Sequence, residues 1–194
     1  MPRRLPPGKP TPRQTELFDA LVDLFLSEGF AHLTLDDIST RLKCSKTTLY
    51  SLADSKEQLV RSATAHFFRR ATAQIDAQTV AVTNASERIT TYLAAAGQAL
   101  SVASEQFMAD LDAFAPAREV YEQNTAAAAL RVQEMITDGV ASGDLRHVHA
   151  GFAADLATAA MARIQRGEVR ATTGLGAGQA YQELAAILTT GISA

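Results

Sequence analysis

The stretch TLDDISTRLKCSKTTLYSLADSKEQL, residues 34–59, contains the features that decide the fold. Thr34 and Ser45 each stand where a helix can begin, because a hydroxyl at such a position accepts a hydrogen bond from an amide further along the first turn. Only a tight turn, residues 42–45, separates the two short helical segments. Two short helices joined in this way are typical of a helix-turn-helix unit, whose second helix can enter the major groove of DNA.

The outward side of the predicted second helix carries side chains that can form hydrogen bonds with DNA. Leu49 falls on the inner side, whereas Lys46, Thr47, Tyr50 and Ser51 fall on the outer side. One cation and three hydroxyl groups suit both phosphates and base edges. We therefore predict that these four residues contact the major groove. An ordinary surface charge for Lys46 and a packing role for the Tyr50 ring are the alternatives.

Signals on either side of this stretch extend the prediction to a three-helix head. Residues 11–14 form a capping box with proline at the first helical position, and Gly29 supplies a left-handed stop. We predict a helix-turn-helix DNA-binding domain over residues 12–54, preceded by a flexible basic arm at residues 1–11. A further capping box, Ser-Lys-Glu-Gln, begins a long helix and a second domain over residues 55–194.

The composition favours an all-α fold and excludes several classes of protein. The chain has 194 residues, 47% of them hydrophobic, and a formal net charge of -3. Between Arg13 and Ala115 there is no proline and there are only two glycines, which predicts helices, about nine in the whole chain. Residues 172–178 are expected to form a loop. No apolar run could span a membrane, and the single cysteine, Cys44, excludes a disulfide framework and favours a cytoplasmic protein.

Residues 12–60 resemble the DNA-binding region of the TetR family of transcriptional regulators. The family pattern is matched at Thr34, Ile38, Ser45, Thr48, Leu49, Tyr50, Ser55, Lys56, Glu57 and Leu59. The sequence departs from it at Lys43 and Thr47, where the family has glycine, and at Leu52 and Ala53, where it has an aromatic pair. Lys43 is expected either to adopt a left-handed conformation or to alter the turn.

The resemblance implies a dimeric, ligand-responsive DNA-binding regulator, in the simplest case a repressor that a small molecule releases from a palindromic operator. We predict contacts to the DNA backbone from Thr34, Ser45, Thr48, Tyr50 and Lys56, and the resemblance also implies this role for all of them except Ser45. One alternative is an all-α small-molecule-binding protein or enzyme in which the helix-turn-helix is incidental. Another is a helical scaffold that binds only protein.

Enzyme signatures are absent from the sequence. His147 and His149 are two residues apart in a connector, which is not the spacing of a zinc site on a helix. The segment Gly174-Leu-Gly-Ala-Gly178 follows no predicted strand and contains no lysine, so it does not have the pattern of a phosphate-binding loop. The sequence therefore predicts no catalytic residues, no cofactor, no metal and no membrane partner.

Large side chains among alanines between residues 62 and 134 predict a mostly apolar effector pocket. Alanine-rich helices fill little volume, so large groups among them can leave a cavity, and methionine suits walls that re-pack around ligands. The candidate ligand contacts are Tyr92, Phe107, Met108, Tyr121 and Asn124. The alternative is that these are ordinary core residues.

The last two long helices, about residues 150–166 and 179–192, are predicted to form a homodimer interface. One recognition helix spans only a few base pairs, so useful specificity requires two, about 34 Å or more apart. The apolar candidates are Phe152, Leu156, Ala160 and Ile164 on one helix and Leu184, Ile187 and Leu188 on the other. Paired across a two-fold axis they would form a four-helix interface, which the resemblance also implies. Alternatively, these faces close the protomer's own core.

Overall fold

The computed structural model describes residues 11–193, and this part of the chain forms ten α-helices and no β-strand. The helices are α1 Pro12–Glu28, α2 Leu35–Arg41, α3 Lys46–Leu52, α4 Lys56–Thr79, α5 Ala85–Ser101, α6 Glu105–Ala113, α7 Ala115–Ser142, α8 Ala150–Gln165, α9 Glu168–Thr173 and α10 Ala177–Ile192. The predicted all-α fold is confirmed. The predicted basic arm lies outside the described residues except for Thr11. No helix in the described range is long and apolar enough to cross a membrane.

The prediction of about nine helices missed one short element, α9. It is bracketed by Gly167 and Gly174, which both have left-handed backbone conformations, with φ of 73° and 77°. Glu168 in its first turn pairs with two arginines at the end of α8 and complements the helix dipole. The loop expected at residues 172–178 is shorter than predicted, because two threonines continue α9 and α10 already begins at Ala177.

Side-chain caps begin the helices of the head where the sequence predicts them. The hydroxyls of Thr11, Thr34 and Ser45 each accept a hydrogen bond from the amide three residues later, and Ser55 does the same for α4. The inner faces of α1, α2 and α3 then share one core. Its fully buried large side chains include Leu21, Phe25, Phe30, Leu33, Ile38 and Leu49.

The hydrophobic core of the head continues into α4 and α6 of the body. Leu59 and Val60 of α4, and Phe107 and Leu111 of α6, belong to the same buried cluster as the head residues. The ring of Phe30, just after α1, meets the ring of Phe107 edge-on with centroids 6.0 Å apart. The head is therefore packed directly against the body.

The body is a bundle in which α5 packs against α10, α7 packs against α8, and α4 contacts both α5 and α7. Its core includes the fully buried side chains of Ile89, Leu93, Ile136 and Tyr181. A glycine permits the close approach of α5 and α10, because a Cβ added at Gly97 of α5 would lie 2.7 Å from the Cβ of Tyr181 in α10. A side chain at this position would force the two helices apart.

Candidate DNA-binding surface

The predicted groove-contacting residues lie on the exposed side of α3. Leu49 is 2% exposed and attaches the helix to the head core. Lys46, Thr47, Tyr50 and Ser51 are all exposed, and Tyr50 exposes 51% of its surface. Because residues three and four apart are neighbours on a helix surface, the pairs Lys46–Tyr50, Thr47–Tyr50 and Thr47–Ser51 join these four side chains into a single accessible face.

The turn between α2 and α3 contains a left-handed lysine. Lys43 has a φ of 49°, the one positive value at a non-glycine residue in the described part of the chain. The Cys44 amide closes the turn by donating a hydrogen bond to the Ser39 carbonyl over 3.0 Å. A left-handed conformation costs an ordinary L-residue about 1–2 kcal/mol. Lys43 stands where the family pattern has glycine, and it was expected either to adopt a left-handed conformation or to alter the turn. The first of these is observed, and Lys43 bears the conformational strain.

The C-terminal end of α3 is held without the aromatic pair of the family pattern. Leu52 and Ala53 are half-buried and pack against the core cluster of the head. The Ala53 amide donates to the Leu49 carbonyl over 3.2 Å, which ends the helix. Smaller side chains thus attach this end of α3 to the head.

The hydroxyls predicted to contact the DNA backbone already serve as helix caps. Thr34 Oγ1 accepts from the Asp37 amide over 3.2 Å and donates to the Asp37 carboxylate over 2.6 Å. The hydrogen bonds that the hydroxyl and the backbone amide of Thr34 donate to the carboxylate lower the pKa of Asp37. Ser45 Oγ accepts from the Thr48 amide over 3.1 Å and lies 2.8 Å from the Thr48 hydroxyl. For Thr34 to donate to a phosphate, its hydroxyl must turn away from Asp37.

Lys46, the cation on the exposed face of α3, is paired with a carboxylate within the head. Its Nζ lies 2.5 Å from Oδ1 of Asp36 on α2. The hydrogen bond and the charge of Asp36 raise the pKa of Lys46, so the side chain remains an ammonium group. Both side chains are more than half exposed, and such pairs exchange partners at little cost. Lys46 can therefore leave Asp36 for a DNA phosphate or base.

Lys56, at the start of α4, faces the head as well as solvent. Its Nζ donates to the Ala31 carbonyl, in the loop between α1 and α2, over 2.9 Å. Partial burial lowers the pKa of Lys56, whereas the charges of Asp110 and Asp37 act in the opposite direction. An ammonium group has three N–H donors, so this hydrogen bond leaves others for a phosphate.

Asp110 on α6 is a buried carboxylate that sequence reasoning did not identify. It is 4% exposed, and its Oδ2 accepts hydrogen bonds from the amides of Phe30 and Ala31 over 2.6 and 2.7 Å. No local pattern points to these contacts, since the partners are about eighty residues apart in the sequence. Only the packing of α6 against the end of α1 brings them together.

The five predicted effector-contacting residues lie in different places. Tyr92 and Asn124 line a cavity of about 280 Å³ between α4, α5 and α7, and burial raises the pKa of Tyr92 to about 12. Met108 lines a larger cleft of about 1070 Å³ between α6 and helices α8–α10. Tyr121 stacks on Phe68 of α4, and its buried hydroxyl has no hydrogen-bond partner within the protein. The structure therefore places Tyr92 and Asn124 at one cavity and Met108 at another.

Phe107 differs from the other four because its side chain belongs to the core beneath the head. It is 2% exposed and packs edge-on against Phe30 and Phe67. Phe107 lines neither of the two cavities described above, and this placement favours the alternative that it is an ordinary core residue.

The predicted dimer residues are placed unequally on α8 and α10. Phe152, Leu156 and Ile187 are large apolar side chains that are 62, 54 and 71% exposed. Ala160, Leu184 and Leu188 are partly buried, and the two leucines pack on the protomer's own core. Ile164 is 7% exposed and part of that core. Its burial favours the alternative interpretation for this residue, closure of the protomer's own core.

Comparison with known proteins finds a family match for the head and solved structures that share the fold of the whole chain. Residues 17–63 match the family described as bacterial regulatory proteins, tetR family. Among curated proteins, none matches the sequence significantly.

Several solved structures share the fold over nearly their whole length. A transcriptional regulator from Saccharomonospora viridis in complex with choline is 16% identical, with 92% of this chain and 96% of that chain covered and a TM-score of 0.73. A TetR-family regulator from Agrobacterium tumefaciens is 14% identical, with 95% and 100% covered and a TM-score of 0.72. The regulator FadR from Bacillus subtilis in complex with stearoyl-CoA is 12% identical, with 91% and 98% covered and a TM-score of 0.70.

The family match covers most of α1, all of α2 and α3, and the start of α4, and it therefore includes the exposed face of α3. Identities this low relate the body to the solved regulators by fold only. Residues 17–63 therefore match the tetR family of bacterial regulatory proteins, and the whole chain has the fold of solved regulators of that family.

Proposed function

We propose that this protein represses transcription by binding a palindromic operator as a homodimer and is released from it by a small molecule. The observation that carries the proposal is the exposed face of α3, which presents Lys46, Thr47, Tyr50 and Ser51. The buried side chain of Leu49 holds this helix against the core of the head. A helix presented in this way by a three-helix unit suits the major groove. The relatives crystallised with choline and with stearoyl-CoA support the ligand-responsive part of the proposal.

The proposed contacts divide into those that position the head and those that select sequence. Lys46, Thr47, Tyr50 and Ser51 would contact base edges in the groove. The positioning contacts to phosphates would come from Thr34, Ser45, Thr48, Tyr50 and Lys56. Loss of a positioning contact weakens binding to all sequences alike, whereas loss of a base contact changes the preference among sequences.

The experiment for the proposed function is selection of duplexes by the wild-type protein from random DNA and from the DNA that flanks its own gene. Dissociation constants for a selected duplex and a random duplex are then measured over a series of salt concentrations. We expect the selected duplex to be palindromic and to bind at least about a thousandfold more tightly at physiological salt. Equal affinity for every duplex at every salt concentration would refute the proposal.

The surface proposed for dimerisation is the exposed apolar side of α8 and α10. Phe152 and Leu156, four residues apart, share one face of α8, and Ile187 stands on α10, which contacts α8. Clustered large apolar side chains on adjacent helices favour a protein partner over solvent. A second copy of the chain is the partner that a palindromic site requires.

The cavity proposed for the effector is the cleft of about 1070 Å³ between α6 and helices α8–α10. Its walls include Met108, Leu100 and Val169, and Arg170 of α9 pairs with Glu105 of α6 at its edge. A mostly apolar molecule with one polar end fits such walls, because apolar surfaces bind the body of a ligand while a few polar groups orient it. The smaller cavity at Tyr92 and Asn124 is the second candidate.

Thermal denaturation with added stearoyl-CoA, choline and a panel of apolar compounds tests the effector cleft. An effector should raise the melting temperature, and Met108→Trp, which places a bulky ring in the cleft, should reduce that shift while Asn124→Leu retains it. A true effector also weakens DNA binding by the same factor by which DNA weakens effector binding. If Met108→Trp retains the shift and Asn124→Leu removes it, the smaller cavity is the effector site instead.

A further inference from the structure

The buried carboxylate of Asp110 connects the body to the loop that precedes the helix-turn-helix. We propose that Asp110 is a positioning residue for DNA recognition, which sets the orientation of the head from α6 without touching DNA. The inference rests on the proposed DNA-binding role of α3. It concerns a residue that lies outside the groove-contacting face and outside the matched residues 17–63.

The geometry around Asp110 is that of a fully satisfied buried carboxylate. Oδ2 accepts from the amides of Phe30 and Ala31 over 2.6 and 2.7 Å, and Oδ1 accepts from Nε2 of Gln106 over 2.7 Å. Hydrogen bonds that involve an ionised group are stronger than those between neutral groups, and buried ones are strongest. The carboxylate is thus a firm attachment point for two consecutive amides.

The end of α1 is shaped to admit this carboxylate. Gly29 has a φ of 81°, and a Cβ added there would lie 2.5 Å from Oδ2 of Asp110. The glycine is therefore required by both the backbone conformation and the close approach of Asp110. A backbone hydrogen bond of 2.8 Å from the Ser104 amide to the Leu26 carbonyl joins the same two segments. Hydrogen bonds to Asp110 and from the Ser104 amide therefore both connect α6 and its N-cap to the end of α1 and the loop that follows it.

The backbone of Ala31 connects Asp110 to α4 through two hydrogen bonds. Its amide donates to Asp110, while its carbonyl accepts from Nζ of Lys56, the first residue of α4. Thr34, which caps α2, follows three residues later. One short loop is thereby fixed to α6, to α4 and to the first helix of the helix-turn-helix. Movement of the loop relative to α6 would turn α2 and α3 together and would displace Lys56.

The decisive experiment compares Asp110→Asn with Val132→Ala, a variant of a fully buried side chain in the body core. The asparagine keeps the size of the side chain, but it removes the negative charge that strengthens the two hydrogen bonds from the amides and turns an NH₂ donor toward Nε2 of Gln106. The dissociation constant of a selected palindromic duplex is measured well below each melting temperature. We expect Asp110→Asn to weaken binding at least about tenfold, whereas Val132→Ala loses thermal stability without weakening binding. Equal dissociation constants for both variants and the wild type would overturn the proposal.

A double-mutant cycle separates positioning from simple destabilisation. Asp110→Asn and Lys56→Met should combine less than additively in DNA affinity, because both act through Ala31. Asp110→Asn and Lys46→Ala should also combine less than additively, because a displaced α3 has already lost part of the contact that Lys46 makes with DNA. Additivity in both cycles would contradict the proposal.

A milder variant and the wild-type selection experiment distinguish failure of this proposal from failure of the proposed function. If Asp110→Asn does not fold, the exposed Gln106→Ala removes one hydrogen bond to the carboxylate, and we expect a two- to threefold loss of affinity in the same direction. No loss with that variant would count against the proposal. Failure of the wild-type protein to select any duplex would instead refute the proposed function, so the two failures are distinguishable.

Discussion

At the scale of single residues, Lys43 stores conformational strain in the turn of the helix-turn-helix. Its φ of 49° lies in a region that glycine occupies freely. We expect Lys43→Gly to raise the free energy of unfolding by about 0.5–1 kcal/mol, because relief of the left-handed strain exceeds the entropy that glycine loses on folding. Urea denaturation measures the change. Lys43→Ala, which retains the strain, is the control, and a Lys43→Gly variant less stable than this control would contradict the assignment.

The negative charge of Asp36 is expected to weaken DNA binding. It neutralises Lys46 beside the groove-contacting face and would itself repel the phosphates of DNA. We expect Asp36→Asn to strengthen DNA binding by up to about fivefold at low salt, with the gain fading as salt screens the charges. Asp23→Asn on α1, an exposed carboxylate away from α3, is the control for net charge. Equal gains from both variants would show that Asp36 has no local effect.

At the scale of elements, the contact between α1 and α4 includes an ionic cluster that responds to acid. Asp19 Oδ1 lies 2.7 Å from both His66 Nε2 and Arg70 Nη1 on α4. The hydrogen bond from His66, followed by the charge of Arg70, lowers the pKa of Asp19, although burial acts in the opposite direction.

Because the folded-state pKa lies below the unfolded value of 3.8, the contribution of Asp19 is present above that pH and is lost as the pH falls further. We expect Asp19→Asn to lower the free energy of unfolding by less than about 1 kcal/mol at pH 7, since the carboxylate is over one-third exposed. The difference from wild type, measured by urea denaturation, should shrink below pH 4. A difference that grows in acid would contradict this account.

Elements whose start or end depends on neighbouring residues were predictable from the sequence. The caps at Thr11, Thr34 and Ser45 act within one helical turn, so the head could be placed to within a few residues. The same reasoning could not foresee that Phe107 and Ile164 are buried, because burial depends on which helices pack together. The link from Asp110 to Phe30 was inaccessible for the same reason.

At the scale of the whole molecule, dimerisation is the property on which high operator affinity depends. We expect Phe152→Glu combined with Ile187→Glu to yield a monomer at micromolar concentration, because two charges would be buried in the proposed interface. Affinity for a palindromic duplex should then fall at least about a hundredfold through the loss of bivalent binding. Sedimentation equilibrium and DNA titration measure both effects.

Val80→Glu, at an exposed apolar position at the end of α4, is the matched control for the added charge. It should leave the mass and the DNA affinity unchanged. A monomeric wild-type protein at micromolar concentration, or a double variant that remains dimeric, would contradict the proposed interface.

The central claim is that the exposed face of α3 recognises DNA, and one titration tests it most directly. The wild-type protein and the combined variant Lys46→Ala with Tyr50→Ala are titrated into a selected duplex and a random duplex, after circular dichroism has shown equal helix content. Loss of two groove contacts should weaken binding to the selected duplex at least about thirtyfold, and binding to the random duplex much less. Unchanged affinity of the variant for the selected duplex would contradict the claim.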